Sequence, residues 1–154
     1  MNFDIFRKIP IFEELTDNEI NSILDIAKRA TFEKGEVIFK EGEPGDGFYI
    51  LIKGNVRITT EIEDAGEELL AELKGNVHFG EINIVDGKPR SADAIAENDV
   101  ICLFFPRNDF LKLMATNKDL EIKICHGFMK EFATRLRATD QKVKDIIKIL
   151  KSKS

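Results

Sequence analysis

The sequence predicts a mainly β fold with flanking helices: an antiparallel jelly-roll β-barrel, N-terminal helices ahead of it and one long C-terminal helix behind it. Two observations predict it. Between Thr31 and Pro106, short β-branched and aromatic runs such as "GFYILIK", "NVRITTEI" and "VICLFF" alternate with turn sequences such as "EGEPGDG", "EDAGEE" and "VDGKP", which supply the Gly, Pro, Asp and Asn that tight reversals need. About eight short strands at this rhythm close into a barrel or jelly roll. On both sides of that segment the apolar spacing changes to three and four, the period of a helix.

The elements follow in order. A helix is predicted over Asp17 to Ala30, because Thr16 and Glu19 form a capping box, Leu15 and Ile20 are placed for a hydrophobic staple, and Ile20, Ile23, Leu24 and Ala27 share one face. The β segment carries nine of the ten glycines, as a fold made of short strands and turns requires. After Pro106 come "RNDFLKLM" and then, from an Asn117 cap, one helical run towards Lys151. Its later part repeats Met129, Phe132, Leu136, Thr139, Val143, Ile146 and Leu150 at coiled-coil spacing, a strip wide enough for a partner helix. One seam position, Thr139, is polar. The division is therefore one domain over 1–154, with N-terminal helices at 1–30, the barrel at 31–106 and C-terminal helices at 107–154.

The totals agree. A chain of 154 residues with 43% apolar residues and twelve Phe can bury a core. Net charge is −5, with Lys and acidic residues interspersed, which excludes a basic nucleic-acid surface. No apolar run reaches the roughly 18 residues of a membrane span, and "MNFDIFRKIP" is too short and too acidic for a signal peptide. A cytoplasmic protein is expected, without membrane or nucleic-acid partners. Cys102 and Cys125 lack C-x-x-C spacing and read as reduced packing residues. His78 and His126 are lone histidines and read as structural; with only two in the chain, a metal centre of the cupin kind is not expected. No nucleophile–base or paired-acid spacing suggests catalysis.

The stretch "FGEINIVDGKPRSADA", residues 79–94, carries the chemistry. Gly80 lets a ligand approach the main chain, the amides of Ile82 and Asn83 open a short helical turn, and both suit an anion. Arg90 offers a planar fork that matches a phosphate, with the backbone of Ser91 or Ala92 beside it. Glu81 would repel the same anion, so it suits a hydroxyl. A ligand with one negative charge and a nearby sugar hydroxyl satisfies both groups. The bland alternative is a Glu81–Arg90 ion pair that only pins the loop.

These residues resemble the phosphate-binding cassette of the cyclic nucleotide-binding domain family. Phe79, Gly80, Glu81, Ile82, Pro89, Arg90, Ser91 and Ala92 meet its pattern, and "KGEVIFKEGEPGDGFYILIKGNV", "IPIFEELTDNEI" and the terminal helix extend the likeness over nearly the whole chain. The resemblance implies that Glu81 accepts the ribose 2′-hydroxyl, that Arg90 pairs with the cyclic phosphate, and that amides around Gly80, Ile82 and Ala92 complete the cradle. In members near the bacterial catabolite activators, an arginine and a threonine of an "RL-x-x-T" segment meet the cassette glutamate and the purine, and "RLRAT" places Arg135 and Thr139 there. Asn83 departs from the usual Ala or Gly, and would crowd the pocket or add a donor. Asp93 departs too, and strand alternation permits it to face outward. Asp140 can accept from the guanine edge or from adenine's amino group, and Ser91 bears a hydroxyl found with either base.

The resemblance implies a sensor of cyclic AMP, ahead of cyclic GMP because the "RLRAT" match is the longer, with no cofactor beyond that ligand. A homodimer through the last helix is expected, against the alternative that this helix packs only on its own barrel. The residues that end at "KILKSKS" leave no room for a helix-turn-helix, so output through an unidentified protein effector is expected, or a kinase, channel or transcription factor if the chain is an excised piece. A ligand-free interaction or dimerisation module on the same fold is the other reading.

Overall fold

The computed structural model describes residues 3–153; Met1, Asn2 and Ser154, which belong to the terminal stretches read above, lie outside the described residues. Strands β1 (Lys28–Phe32), β2 (Val37–Phe39), β3 (Gly47–Lys53), β4 (Asn55–Ile62), β5 (Gly66–Lys74), β6 (Val77–Phe79), β7 (Asp93–Ala96) and β8 (Val100–Pro106) form two antiparallel four-stranded sheets. One sheet has the order β1-β8-β3-β6 and the other β2-β7-β4-β5, which is the jelly roll that the turn rhythm predicts. Helices α1 (Asp4–Arg7), α2 (Asp17–Ile26), α4 (Arg107–Thr116) and α5 (Lys118–Ser152) flank it, and the short α3 (Ile82–Asp86) lies inside the cassette.

Strand alternation divides the core into two layers. From β3, Tyr49 and Leu51 face the space between the sheets, where they meet Phe39, Phe79, Ala94 and Cys102. Phe48 and Ile50 face the other way, into a helical layer with Phe12, Ile20, Phe105, Phe110, Ile124 and Phe128. Cys102 is fully buried, and burial pushes its thiol pKa up to about 12. Cys125 corrects the expectation of two packing cysteines: it is exposed on α5. Both thiols are free.

The capping box at Thr16 and Glu19 is present on both sides, and Leu15 and Ile20 enter the same core cluster. The helix itself ends four residues early. Ala27 is already extended and β1 starts at Lys28, because Ala30 and Phe32 gain a sheet partner in β8 and pack against the barrel interior. The long helix begins as expected, with the Asn117 side chain accepting from the Leu120 N–H. Its first half is anchored: Leu120, Ile124 and Phe128 are buried. Gly127 lets the helix cross the 3-10 turn Pro10–Phe12 closely, since a Cβ there would lie 2.6 Å from the Ile11 Cα. The Lys123 ammonium, 2.6 Å from Glu19, adds a tie to α2. Beyond Phe132 every described residue of the helix is exposed, Leu136, Val143, Ile146 and Leu150 among them. No helix among the described residues is long and apolar enough to cross a membrane.

Candidate ligand-binding site

A cavity of 480 Å³ lies between the cassette, the β5 edge and α5, within the roughly 300–1,000 Å³ range of small-molecule sites. Its floor is the cassette from Phe79 to Asn83 and from Pro89 to Ala92; Phe39 and Ile58 line the barrel side, and Leu70 and Leu73 of β5 the outer wall. From α5 come Arg135, Ala138, Thr139 and Lys142, spaced at three and four along one helical face.

Gly80 has φ +74°, a left-handed conformation that glycine adopts without strain, and a Cβ there would come within 2.8 Å of the Arg90 guanidinium. The bend at Gly80 thus aims the next residue, Glu81, into the cavity from a position with 1% exposure. Ile84 is the first residue of the turn to bond back, to the Glu81 carbonyl at 3.0 Å; the N–H groups of Ile82 and Asn83 therefore have no carbonyl within the helix to bond.

Glu81 and Arg90 do not pair with each other. The Glu81 carboxylate accepts from the Arg135 guanidinium of α5, while His78 Nδ1 stands 3.5 Å from its other oxygen. Burial acts to raise the Glu81 pKa, but the contacts with His78 and Arg135 outweigh it and hold the group below its ordinary value. Arg90 is bound elsewhere: its two terminal nitrogens donate to the Gly80 carbonyl at 2.7 Å and to Asp46 at 2.8 Å, and its guanidinium lies 4.2 Å from the centre of the Phe39 ring. The loop 41–47 holds the arginine at its backbone as well, since the Arg90 N–H donates to the Glu43 carbonyl and Gly42 donates to the Arg90 carbonyl. The loop-pinning ion pair is thus replaced by two separate anchors, each leaving its charged group in the cavity wall.

Most of the predicted site residues come together. Phe79, Gly80, Glu81, Ile82, Asn83, Arg90, Ser91, Ala92, Arg135 and Thr139 all line this one cavity. Asn83 acts mainly as a brace: its amide donates to the Gly47 and Gly80 carbonyls, and a Cβ on Gly45 would collide with it at 2.2 Å. Asp93 faces away from the cavity and accepts from the Glu41 N–H at 2.7 Å. Asp140 is not brought in. It follows Thr139 by one residue, about 100° around the helix, and Lys142 stands in the wall instead. The sequence reading also passes over Asp46 and His78. Asp46 hides in the "PGDG" turn, remote from Arg90 along the chain; His78 gives no sign of its partner until β6 fixes its direction. Among the described residues, no group of three or more His, Cys, Asp or Glu could hold a metal ion.

A barrel with a buried acid and a buried arginine on one cassette, closed by a helix, is a ligand-binding regulatory architecture. The family can be named: a sequence model of the cyclic nucleotide-binding domain matches residues 29–117, and the chain belongs to that family. It is 30% identical over 141 residues to human cGMP-dependent protein kinase 2, which covers 90% of this chain and 18% of the kinase. It is 28% identical over 144 residues to the CRP-like cAMP-activated global transcriptional regulator of Mycobacterium tuberculosis, covering 94% of this chain and 62% of the regulator. Among solved structures, the Thermus thermophilus catabolite activator protein aligns with a TM-score of 0.78 at 30% identity, over 88% of this chain and 62% of that one. A cyclic nucleotide-binding domain from Methylobacillus flagellatus KT reaches 0.82 at 22% identity, over 92% of this chain and 79% of that one, a likeness of fold. The chain spans under a fifth of the kinase and about three-fifths of the regulator.

Proposed function

We propose that this chain is a regulatory sensor that binds one cyclic purine nucleotide, cyclic AMP ahead of cyclic GMP, and passes its occupancy through α5 to a partner protein. The observation that carries the reading is that Glu81 and Arg90 line the same cavity while each is anchored by a different group. A cyclic nucleotide has the matching pair of features. Its phosphate meets the Arg90 fork and the unbonded amides of the turn, and its ribose 2′-hydroxyl donates to Glu81. Ser91 and Ala92 border the phosphate end, and the purine extends towards Thr139 between β5 and α5.

Arg135 makes the link to output. It belongs to α5 yet bonds the carboxylate that receives the ribose, so a ligand that engages Glu81 and lies against Thr139 favours one position of the helix over others. The exposed strip of Leu136, Val143, Ile146 and Leu150 supports a homodimer in which a second copy of α5 covers it. Cyclic AMP is placed first because Thr139 of the "RLRAT" segment lines the cavity, while Asp140, which with Ser91 would have met both of guanine's N–H donors, does not. Displacement of a fluorescent cyclic nucleotide by unlabelled cyclic AMP and cyclic GMP tests this. Mutual displacement at one site with cyclic AMP tighter is expected. Tighter cyclic GMP reverses the base assignment, and no binding of either removes the reading.

A further inference from the structure

We propose that His78 is a positioning residue for Glu81, and that its protonation tightens binding of the anionic nucleotide in the adjoining cavity. This rests on the nucleotide-binding reading above. The strand β6 turns Phe79 into the barrel and His78 to the opposite face, opposite Ile50 of β3 and beneath α5. The imidazole is 3% exposed. Its ring stands edge-on to Phe128 at 6.1 Å between centroids, and neither ring nitrogen has a hydrogen-bond partner within normal range. A residue needed only for packing here has no use for two buried nitrogens, whose desolvation is costly.

Among the described residues, the charged group paired with the ring is Glu81, 3.5 Å from Nδ1. Across the carboxylate stands Arg135, itself 3.3 Å from Glu131 one turn back on α5; the neighbours from β3 and the rest of α5, Ile50 and Phe128, are apolar. The anchors balance in pairs, Glu81 with Arg135 and Arg90 with Asp46. A bound cyclic phosphate adds one negative charge beside these pairs, with Lys142, exposed in the cavity wall on α5, as the other cation there. A proton on His78 compensates it and keeps Glu81 turned towards the ribose, as the neutral Nδ1–H does more weakly. The bound anion therefore favours the charged imidazole, so the gain in affinity is present at acid pH and fades as pH rises and the proton leaves. Glu81, held below the ordinary carboxylate range, stays charged throughout this window.

Calorimetric titration with cyclic AMP from pH 8 to pH 5.5 tests the role, on wild type, His78→Gln, His78→Phe and His126→Ala, with thermal melts to verify folding. Wild type is expected to tighten up to about tenfold towards acid, with proton uptake visible as a buffer-dependent heat. His78→Gln, which keeps a neutral N–H but no titrating group, should bind no more tightly than wild type at pH 8 and should show no slope. His78→Phe should bind more weakly and also show no slope. His126, exposed on α5, should be replaceable without effect. A flat or reversed wild-type profile, or a slope that survives in either His78 variant, overturns the proposal while leaving nucleotide binding in place; no binding at any pH removes both.

Discussion

The two ends of the cavity are built in opposite ways. At the cassette end the polar side chains of the wall, Arg90, Glu81 and Asn83, are buried and cross-braced: Arg90 by Asp46, Gly80 and the loop 41–47, Glu81 by Arg135 and His78, and Asn83 by two backbone carbonyls. At the other end the wall is an edge strand and the outer part of a helix, where Leu70, Thr139 and Lys142 are exposed. The difference teaches where each property resides. A preorganised end supplies affinity without an ordering cost, and an open end can move in response.

The largest expected effect is therefore at the closed end. Arg90→Lys exchanges a planar fork for a point charge that cannot bond the phosphate, Asp46 and the Gly80 carbonyl together; binding of cyclic AMP should weaken by about 3 kcal/mol, or roughly 100-fold. Loss of less than about threefold by calorimetry would break the comparison. Glu81→Ala should cost about 2 kcal/mol of binding, and because Arg135 then loses its partner, hydrogen exchange should rise in α5 after Phe132 and not before it. Uniform exchange along the helix would show that the ion pair does not tie it.

Smaller effects belong to the open end. Ile146→Glu places a charge in the exposed strip and should shift a dimer towards monomer in sedimentation by about tenfold in dissociation constant, with ligand affinity at the cassette little changed. A monomeric wild type at high concentration would return the helix to its own domain. Thr139→Val should cost only about 1 kcal/mol of cyclic AMP binding, a single neutral hydrogen bond, and bring the two nucleotides closer in affinity. A loss equal to that of Arg90→Lys would mean that the base end is as rigid as the cassette.

Legibility in the sequence followed the range of the interactions. The strands β3 and β4 coincide with the quoted runs "GFYILIK" and "NVRITTEI", and the Thr16 box and the Asn117 cap lie where they were read, since each depends on residues three or four apart. The turn from α2 into β1 did not show, because Lys28–Phe32 is a strand only when β8 lies beside it. The cassette residues were legible from their types and order. Of their anchors, Arg135 on Glu81 was legible only through the resemblance carried by "RLRAT", whereas Asp46, which reaches Arg90 across 44 residues, and His78 beside Glu81 were not. The exchange of Asp140 for Lys142 turned on the helix's rotation against the barrel, which Gly127 and Ile11 set by packing.

The most direct measurement is a calorimetric titration of the unmodified protein with cyclic AMP, repeated in the presence of excess 5′-AMP. The account predicts saturable binding of one nucleotide per chain, undiminished by 5′-AMP, because the cyclic phosphodiester is held in fixed relation to the ribose hydroxyl that Glu81 accepts. Absence of binding, or equal competition by the open-chain nucleotide, would contradict it.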